Sequence, residues 1–118
     1  MRLFKNAMNS HDQPLERIDT PNGPLKLNSL FSEPAGLVGI QEFLPNEPLE
    51  WSFQYSEVQI VLEGECQITF SLPPLHDSTE KIIAKPGDVL FIYAGERVLF
   101  EVISSKPFRH LCVIMPYK

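Results

Sequence analysis

A pattern of alternating apolar and polar side chains, which runs along residues 49–72 in three segments with Val61 as an exception, is the strongest constraint on the fold of this chain. Its apolar members are Leu49, Trp51, Phe53, Tyr55, Val58, Ile60, Leu62, Cys66, Ile68, Phe70 and Leu72. Successive side chains of a β-strand point to opposite faces of the sheet, so a period of two indicates strands that are buried on one side. Gly64 interrupts the pattern, and we expect a tight turn there between two of the strands.

The rest of the second half contains further strand patterns at a spacing of about ten residues. They are residues 80–84, 89–93, 97–103 and 110–115. Turns at Pro86-Gly87-Asp88 and at Gly95 separate them, and no segment shows a helical stripe. Short strands separated by turns are typical of an antiparallel sandwich or a small barrel. The sequence therefore predicts an all-β fold.

Residues 1–24 do not share this alternation. Pro, Asn and Gly are concentrated in them, which is typical of irregular backbone and turns. Short apolar pieces between Leu25 and Phe43 indicate edge or connecting strands. We therefore divide the chain into an N-terminal arm, residues 1–24, and a β domain, residues 25–118. The arm is expected to pack on the outside of the domain or on a partner.

Composition narrows the class of protein. The 118 residues are 43% hydrophobic, which is enough for a single core. The formal net charge is −5 and Lys and Arg form no cluster, so we expect no nucleic acid and no membrane as a partner. The chain start does not resemble a signal peptide, and no apolar span reaches about 18 residues. Cys66 and Cys112 are expected to be buried thiols. These features predict a cytoplasmic protein.

Motifs in the second half resemble those of a known superfamily. Residues 51–65 (WSFQYSEVQIVLEGE) and residues 86–92 (PGDVLFI), followed by Gly95, resemble the two cupin motifs. More narrowly, the chain is similar to the ethanolamine utilisation protein EutQ family. The pieces that carry this similarity are Trp51, Tyr55-x-Glu57, residues 61–65 and 84–92, Phe100 and residues 109–116. The resemblance implies a cupin-type antiparallel β-barrel (a double-stranded β-helix or jelly roll), usually dimeric, with a pocket inside one end.

The chain departs from the metal-binding form of that pattern. A metal-binding cupin carries His-x-His before the motif glutamate and a further His in the second motif. Here Glu57 occupies the glutamate position, and the upstream positions are either Glu50 and Ser52 or Trp51 and Phe53. The remaining histidine position falls on Val98, and His11, His76 and His110 match none of the three. One carboxylate without imidazoles is a poor transition-metal site, so we expect no metal and no cofactor.

Glu57 and Gln59 are the leading candidates for chemistry. They lie on one face of a strand, and the cupin register turns that face into the barrel. A buried carboxylate and amide need partners. They either grip a ligand, with Glu57 acting as a general acid or base of raised pKa, or form a structural pair held by a neighbouring Tyr or Arg.

Aromatic side chains form a second candidate group. Trp51, Phe53, Tyr55, Phe91, Tyr93 and Phe100, with Val98, either wall a pocket for a flat or apolar molecule or form the core of the barrel. Tyr93 replaces a turn proline near the barrel mouth and is a candidate catalytic residue beside Glu57. Arg109 is expected to pair with Glu57 or to hold a carboxylate ligand. His110 is expected at a surface or interface.

These residues predict a metal-independent, small-molecule-binding cupin, with general acid/base isomerase, lyase or cyclase chemistry at Glu57. The alternative is a non-catalytic EutQ-like metabolite-binding or assembly module. The family resemblance also implies an acetate kinase activity. The sequence supports it poorly, because it shows no glycine-rich phosphate loop. Val58, Ile60 and Leu62 are too apolar for a solvated face. They predict a homodimer, unless the N-terminal arm covers them.

Overall fold

The computed structural model describes residues 1–5, 15–71 and 78–115. His11, His76 and most of the loop expected at 73–79 lie outside the described residues, as does the end of the chain from Pro116. The described part contains strands and turns and no helix. None of its segments is therefore a helix able to cross a membrane.

Ten strands form in the described part. They are β1 (Glu16–Thr20), β2 (Gly23–Glu33), β3 (Gly36–Phe43), β4 (Leu49–Ser52), β5 (Glu57–Glu63), β6 (Cys66–Ser71), β7 (Glu80–Ala84), β8 (Val89–Ile92), β9 (Arg97–Val102) and β10 (Phe108–Ile114). A six-stranded sheet has the order β1-β2-β3-β10-β5-β8, and a four-stranded sheet has the order β4-β9-β6-β7. Each pairing is antiparallel. The two sheets face each other without closing into a hydrogen-bonded barrel, and the predicted all-β antiparallel fold is confirmed.

The core lies between the inner faces of the two sheets. Phe100 of β9 is 1% exposed and contacts the ring of Phe43 at a centroid distance of 4.6 Å. Val61 of β5 and Val98 of β9 are equally buried, at 2% and 1% exposure. Alternate residues of each strand enter this layer. On β5 these are Glu57, Gln59 and Val61, so the apolar Val58 and Ile60 of the sequence pattern lie on the outer face.

The N-terminal third differs from the prediction. Strand β1 and the start of β2 form a hairpin, so residues 16–24 of the expected arm belong to the six-stranded sheet. The Pro/Asn/Gly-rich segment at 21–24 is its turn, where the Thr20 hydroxyl donates to the carbonyl of Gly23 at 2.7 Å. Strand β3 lies between β2 and β10, and its Ile40 is 1% exposed. The segment expected to form edge or connecting strands therefore supplies an interior strand.

Two glycine turns provide a matched test of the fold. Gly64 has a φ of 78° and Gly87 a φ of 93°, both in the left-handed region that favours glycine. A Cβ at Gly64 would clash with the carbonyl of Pro107 and lie 3.0 Å from Cα of Phe108, whereas a Cβ at Gly87 would meet nothing within 4 Å.

We expect Gly64→Ala to lower the free energy of unfolding by about 2–4 kcal/mol, because it adds a backbone clash to the conformational cost. Gly87→Ala should cost only about 1 kcal/mol, the conformational part. Urea unfolding followed by far-UV circular dichroism measures both values. Equal losses would contradict the close approach of Gly64 to the 107–108 segment.

Candidate functional site

A cavity at one end of the jelly roll consists of two adjoining chambers. The outer chamber has a volume of about 500 Å³, and the inner chamber about 240 Å³. Both are lined by Trp51, Phe53, Glu57 and Ile114, so these four residues form their junction. Exposed residues line both chambers, Tyr55 the outer one and Ile18 the inner one, so each is open to solvent.

The orientation of strand β4 and of Phe53 after it shows which of the two possible registers faces the cavity. Phe53 is buried and Trp51 half-buried, and both line the two chambers, whereas Glu50 and Ser52 are exposed at the rim of the outer chamber. Trp51 and Phe53 therefore occupy the positions closest to Glu57 on the inner face. Of the two registers left open by the sequence, the aromatic one enters the cavity.

Glu57 and Gln59 form a hydrogen-bonded pair on the inner face of β5, as their spacing predicts. Glu57 is 4% exposed and Gln59 is fully buried. Gln59 Nε2 donates to Glu57 Oε2, so the partner of the carboxylate is this amide rather than a Tyr or Arg. Gln59 Oε1 has no hydrogen-bond partner among the described residues. An unsatisfied buried acceptor costs about 1–3 kcal/mol, which a donor in the inner chamber would offset.

Burial changes the acidity of Glu57. Removal from water raises the pKa of its carboxyl to about 7, and the hydrogen bond from Gln59 offsets part of the rise. Both protonation states are therefore populated near neutral pH, as a general acid or base requires. Cys112, across from Gln59 on β10, is a neutral thiol because burial raises its pKa to about 12.

Arg109 and His110 exchange the places expected from the sequence. Arg109 Nη1 lies 3.1 Å from Oε2 of Glu42 on β3, so it does not pair with Glu57. His110 is the inward residue, fully buried, with Nε2 2.9 Å from Oε1 of Gln41. Burial lowers the pKa of His110 to about 3, which keeps the ring neutral. Alternation along β10 decides this placement, and both expectations for these residues were wrong.

Phe91 and Tyr93 lie outside the cavity. Phe91 pairs with Val58 across β8 and β5, which places it on the outer face, whereas its neighbour Ile92 faces Glu57. Phe91 and Tyr93 are 55% and 60% exposed, with ring centroids 4.9 Å apart. They line a separate groove of about 260 Å³ together with Glu96. Tyr93 therefore lines neither of the two chambers that Glu57 lines, and the structure does not bring the two expected catalytic residues into one cavity.

The other expected ligand-binding residues divide between cavity and core. Trp51, Phe53, Tyr55, Gln59 and Phe100 line the chambers. Val98 is 1% exposed and belongs to the core beneath them.

Residues of the N-terminal hairpin and of β3 complete the inner chamber and were missed by sequence reasoning. They are Ile18, Thr20, Leu25, Leu27, Gln41 and Phe43. A signal was present, because Leu25 and Leu27 alternate with polar neighbours as the later strands do. The motif resemblance begins only near residue 45, so nothing connected these positions with the pocket.

The residues around Glu57 do not fit a transition metal. The three positions that hold imidazoles in a metal-binding cupin are filled by Trp51, Phe53 and Val98, whose side chains offer no metal-ligating atom. Within residues 1–5, 15–71 and 78–115, no group of three or more His, Cys, Asp or Glu side chains could hold a metal ion.

Comparison with known proteins relates the whole β domain to one family. The family model described as ethanolamine utilisation protein EutQ matches residues 25–117. The chain is 36% identical over 61 residues to acetate kinase EutQ of Escherichia coli K12, which is 52% of this chain and 23% of that protein. The acetate kinase EutQ of Salmonella typhimurium LT2 also shows 36% identity over 61 residues, 24% of its length. The chain thus spans about a quarter of the curated relatives it matches.

Solved structures support the same relationship. The EutQ protein of Clostridium difficile superposes with a TM-score of 0.65 and 26% identity, covering 85% of this chain and 75% of that one. An ethanolamine utilization protein Q from Salmonella typhimurium LT2 gives 0.68 and 27%, covering 88% and 80%. A Thermotoga maritima protein described as a predicted oxalate decarboxylase has a TM-score of 0.73 at 20% identity, covering 92% and 97%, and shares the fold. The chain therefore belongs to the ethanolamine utilisation protein EutQ family and has the cupin fold.

Proposed function

We propose that the chain binds a small molecule in the two-chamber cavity and contacts it through Glu57. The observation that carries this proposal is the place of Glu57 at the junction of the two chambers, beside a Gln59 oxygen without a partner among the described residues. Small-molecule sites are typically apolar clefts of about 300–1,000 Å³ with a few polar groups that fix orientation. The cavity has this character.

The binding is metal-independent in this proposal. Support comes from the three imidazole positions, where Trp51, Phe53 and Val98 leave Glu57 as a lone carboxylate. A lone carboxylate in an apolar site is suited to proton transfer. The finer proposal is therefore general acid/base chemistry of the isomerase, lyase or cyclase class at Glu57, supported by the pKa of about 7.

The alternative is a non-catalytic EutQ-like metabolite-binding or assembly module, in which Glu57 and Gln59 only hold the ligand. One specific observation favours it: Tyr93, the second expected acid–base group, lines the separate groove and neither chamber. Both versions use the same cavity, and they differ in whether Glu57 transfers a proton.

Acetate kinase is the activity for which the two curated relatives are named, and the match covers about a quarter of each. Phosphoryl transfer depends on cations placed against the phosphate charge. The acidic residues at the chambers are Glu50 and Glu57, and no Lys or Arg of the described part lines them. The lining of the two chambers therefore favours the acid/base and binding-module proposals over phosphoryl transfer.

We also propose that two copies associate through the outer face of the six-stranded sheet. Val58 and Ile60 of β5 lie there beside Val89 and Phe91 of β8, and the latter two are 63% and 55% exposed. This uncharged patch is complementary to itself, so a twofold axis would bury both copies at once. The location that we propose is the reducing cytoplasm, supported by the free, buried thiols of Cys66 and Cys112.

Proton abstraction at Glu57 can be tested with 5-nitrobenzisoxazole, a flat probe whose ring opens when a base removes the C3 proton. The carboxylate takes that proton, the N–O bond breaks, and a coloured cyanonitrophenolate forms. We expect the rate to rise as the pH passes through about 7, and Glu57→Gln to lower it by about 10²–10⁴-fold with folding intact.

Glu96→Gln is the matched control for this assay. Glu96 is also buried, at 7% exposure, but it lines the separate groove, so the rate should not change. Equal rates for the native chain and Glu57→Gln would remove the acid/base proposal and leave the binding module.

The pH dependence of stability tests the same carboxyl without a ligand. Because the pKa of Glu57 rises from 4.5 to about 7 on folding, the folded chain holds a proton that the unfolded chain releases. Stability from this group is therefore greatest below pH 4.5 and falls as the pH rises to about 7. The total loss is about 3 kcal/mol.

His110 changes the stability with pH in the direction opposite to Glu57. Its pKa falls from 6.5 to about 3 on folding, so its contribution is lost as the pH decreases below 6.5. The two effects are separated by comparing the native chain with Glu57→Gln, since the variant retains His110. The stability difference should change by about 3 kcal/mol in favour of the variant between acid and alkaline pH. A constant difference across the range would show that Glu57 titrates normally.

Light scattering tests the dimer. At micromolar concentration we expect a mass of about twice 13.4 kDa, and Phe91→Glu should shift it towards the monomer because a charge enters the apolar patch. Ile83→Glu is the control, since Ile83 is similarly exposed at 52% but lies on β7 of the other sheet. A monomer for the native chain would contradict the proposal.

A further inference from the structure

The charge of the cavity is the first observation that restricts its ligand. Glu57 lies at the junction and Glu50 at the rim, and no Lys, Arg or His among the described residues lines either chamber. Arg97 shares a different groove with Glu50 on the outside of the four-stranded sheet. Arg109 is engaged by Glu42. An anionic ligand would therefore enter a site without a compensating positive charge.

The hydrogen-bonding capacity of the junction is the second observation. Gln59 is fully buried and lines the inner chamber, and its Oε1 atom has no partner among the described residues. Its Nε2 atom already donates to Glu57. Apart from the second N–H of this amide, the groups left for a ligand when Glu57 is ionised are acceptors, the carboxylate oxygens of Glu57 and the amide oxygen of Gln59. A ligand that satisfies them must supply N–H or O–H donors.

The apolar lining of the inner chamber is the third observation that restricts the ligand. Leu25, Leu27, Phe43, Leu49 and Phe100 surround a volume of about 240 Å³. The aromatic ring of Trp51 lies at the junction, where a cation would also be attracted to its face. A molecule that matches all three observations has a hydrocarbon body and a positively charged donor at one end.

We propose that the cavity selects amphipathic organic ammonium ions. The ammonium group donates to Glu57 and to Gln59 Oε1, and the hydrocarbon body fills the inner chamber. This inference rests on the proposed small-molecule function. It replaces the carboxylate ligand expected from the sequence, which depended on Arg109 facing the cavity.

The residues named here around Glu57 are uncharged, so the charge of Glu57 itself determines the affinity for an ammonium ion. On β10, Ile114 is opposite Glu57, and the next inward residues are the neutral thiol of Cys112 opposite Gln59 and the neutral ring of His110 opposite Val61. From β8 the facing residue is Ile92. Affinity for an ammonium ion should therefore increase when Glu57 loses its proton, and affinity for a neutral alcohol should change little.

The test compares three probes of six carbons each: hexylammonium, 1-hexanol and hexanoate. Trp51 is the only tryptophan of the chain and lines both chambers, so its fluorescence reports binding directly. At about pH 8.5, above the pKa of Glu57 near 7, we expect hexylammonium to bind at least about tenfold more tightly than 1-hexanol, and hexanoate most weakly. At about pH 5.5 the advantage of hexylammonium should shrink, although the amine stays protonated.

Variants separate the charge from the shape of the site. Glu57→Gln should reduce hexylammonium affinity by about tenfold or more and leave 1-hexanol within about twofold. Glu96→Gln should change neither. If Glu57→Gln does not give a folded β spectrum, Gln59→Met provides the test, because it keeps the length of the side chain, removes the acceptor and should also weaken hexylammonium selectively.

The outcomes distinguish this inference from the function on which it rests. If hexanoate binds as tightly as hexylammonium, the ammonium preference is overturned and the small-molecule cavity stands. If none of the three probes gives a saturable change in Trp51 fluorescence, both are overturned.

Discussion

The burial of a single carboxylate inside an apolar cavity is the interaction on which the site depends. Leu or Val at position 57 would satisfy the core at less cost, since a charged group loses its hydration there. Instead Glu57 is held by the amide of Gln59 and remains connected to solvent through the outer chamber. A carboxylate with this environment is neither a surface charge nor a sealed structural pair. Its proton equilibrium lies near neutral pH.

The rest of the fold supports that environment. The β1–β2 hairpin and β3 complete the apolar lining of the inner chamber, so the N-terminal residues take part in the site rather than lying outside it. On β10, Ile114 faces Glu57, and the inward His110 stays neutral because it is fully buried. Arg109 is turned away and joined to Glu42. Among the described residues, these placements leave both chambers without a lining Lys, Arg or His and Glu57 without an ionic partner.

The sequence predicts those features that local periodicity determines. Alternation along residues 49–72 was enough to identify strands β4 to β6 and to place Glu57 and Gln59 on one face. The cupin resemblance supplied the register that turns this face inward. The features that could not be predicted depend on pairings distant in the chain: Arg109 meets Glu42 because β10 lies beside β3. Tyr93 is separated from Glu57 because β8 presents Ile92 inward and Phe91 outward, and Tyr93, just beyond the strand, lies beside Phe91.

The central claim is that Glu57 is a buried carboxyl whose proton equilibrium lies near neutrality in a cavity open to solvent. A carbon-13 NMR titration of the glutamate side-chain carboxyls, with Glu57→Gln used to assign the resonance, measures this directly. The account predicts a pKa of about 7 for Glu57. It also predicts that the resonance moves when hexylammonium is added. A pKa near the ordinary value of about 4.3, or a resonance that does not titrate, would contradict it.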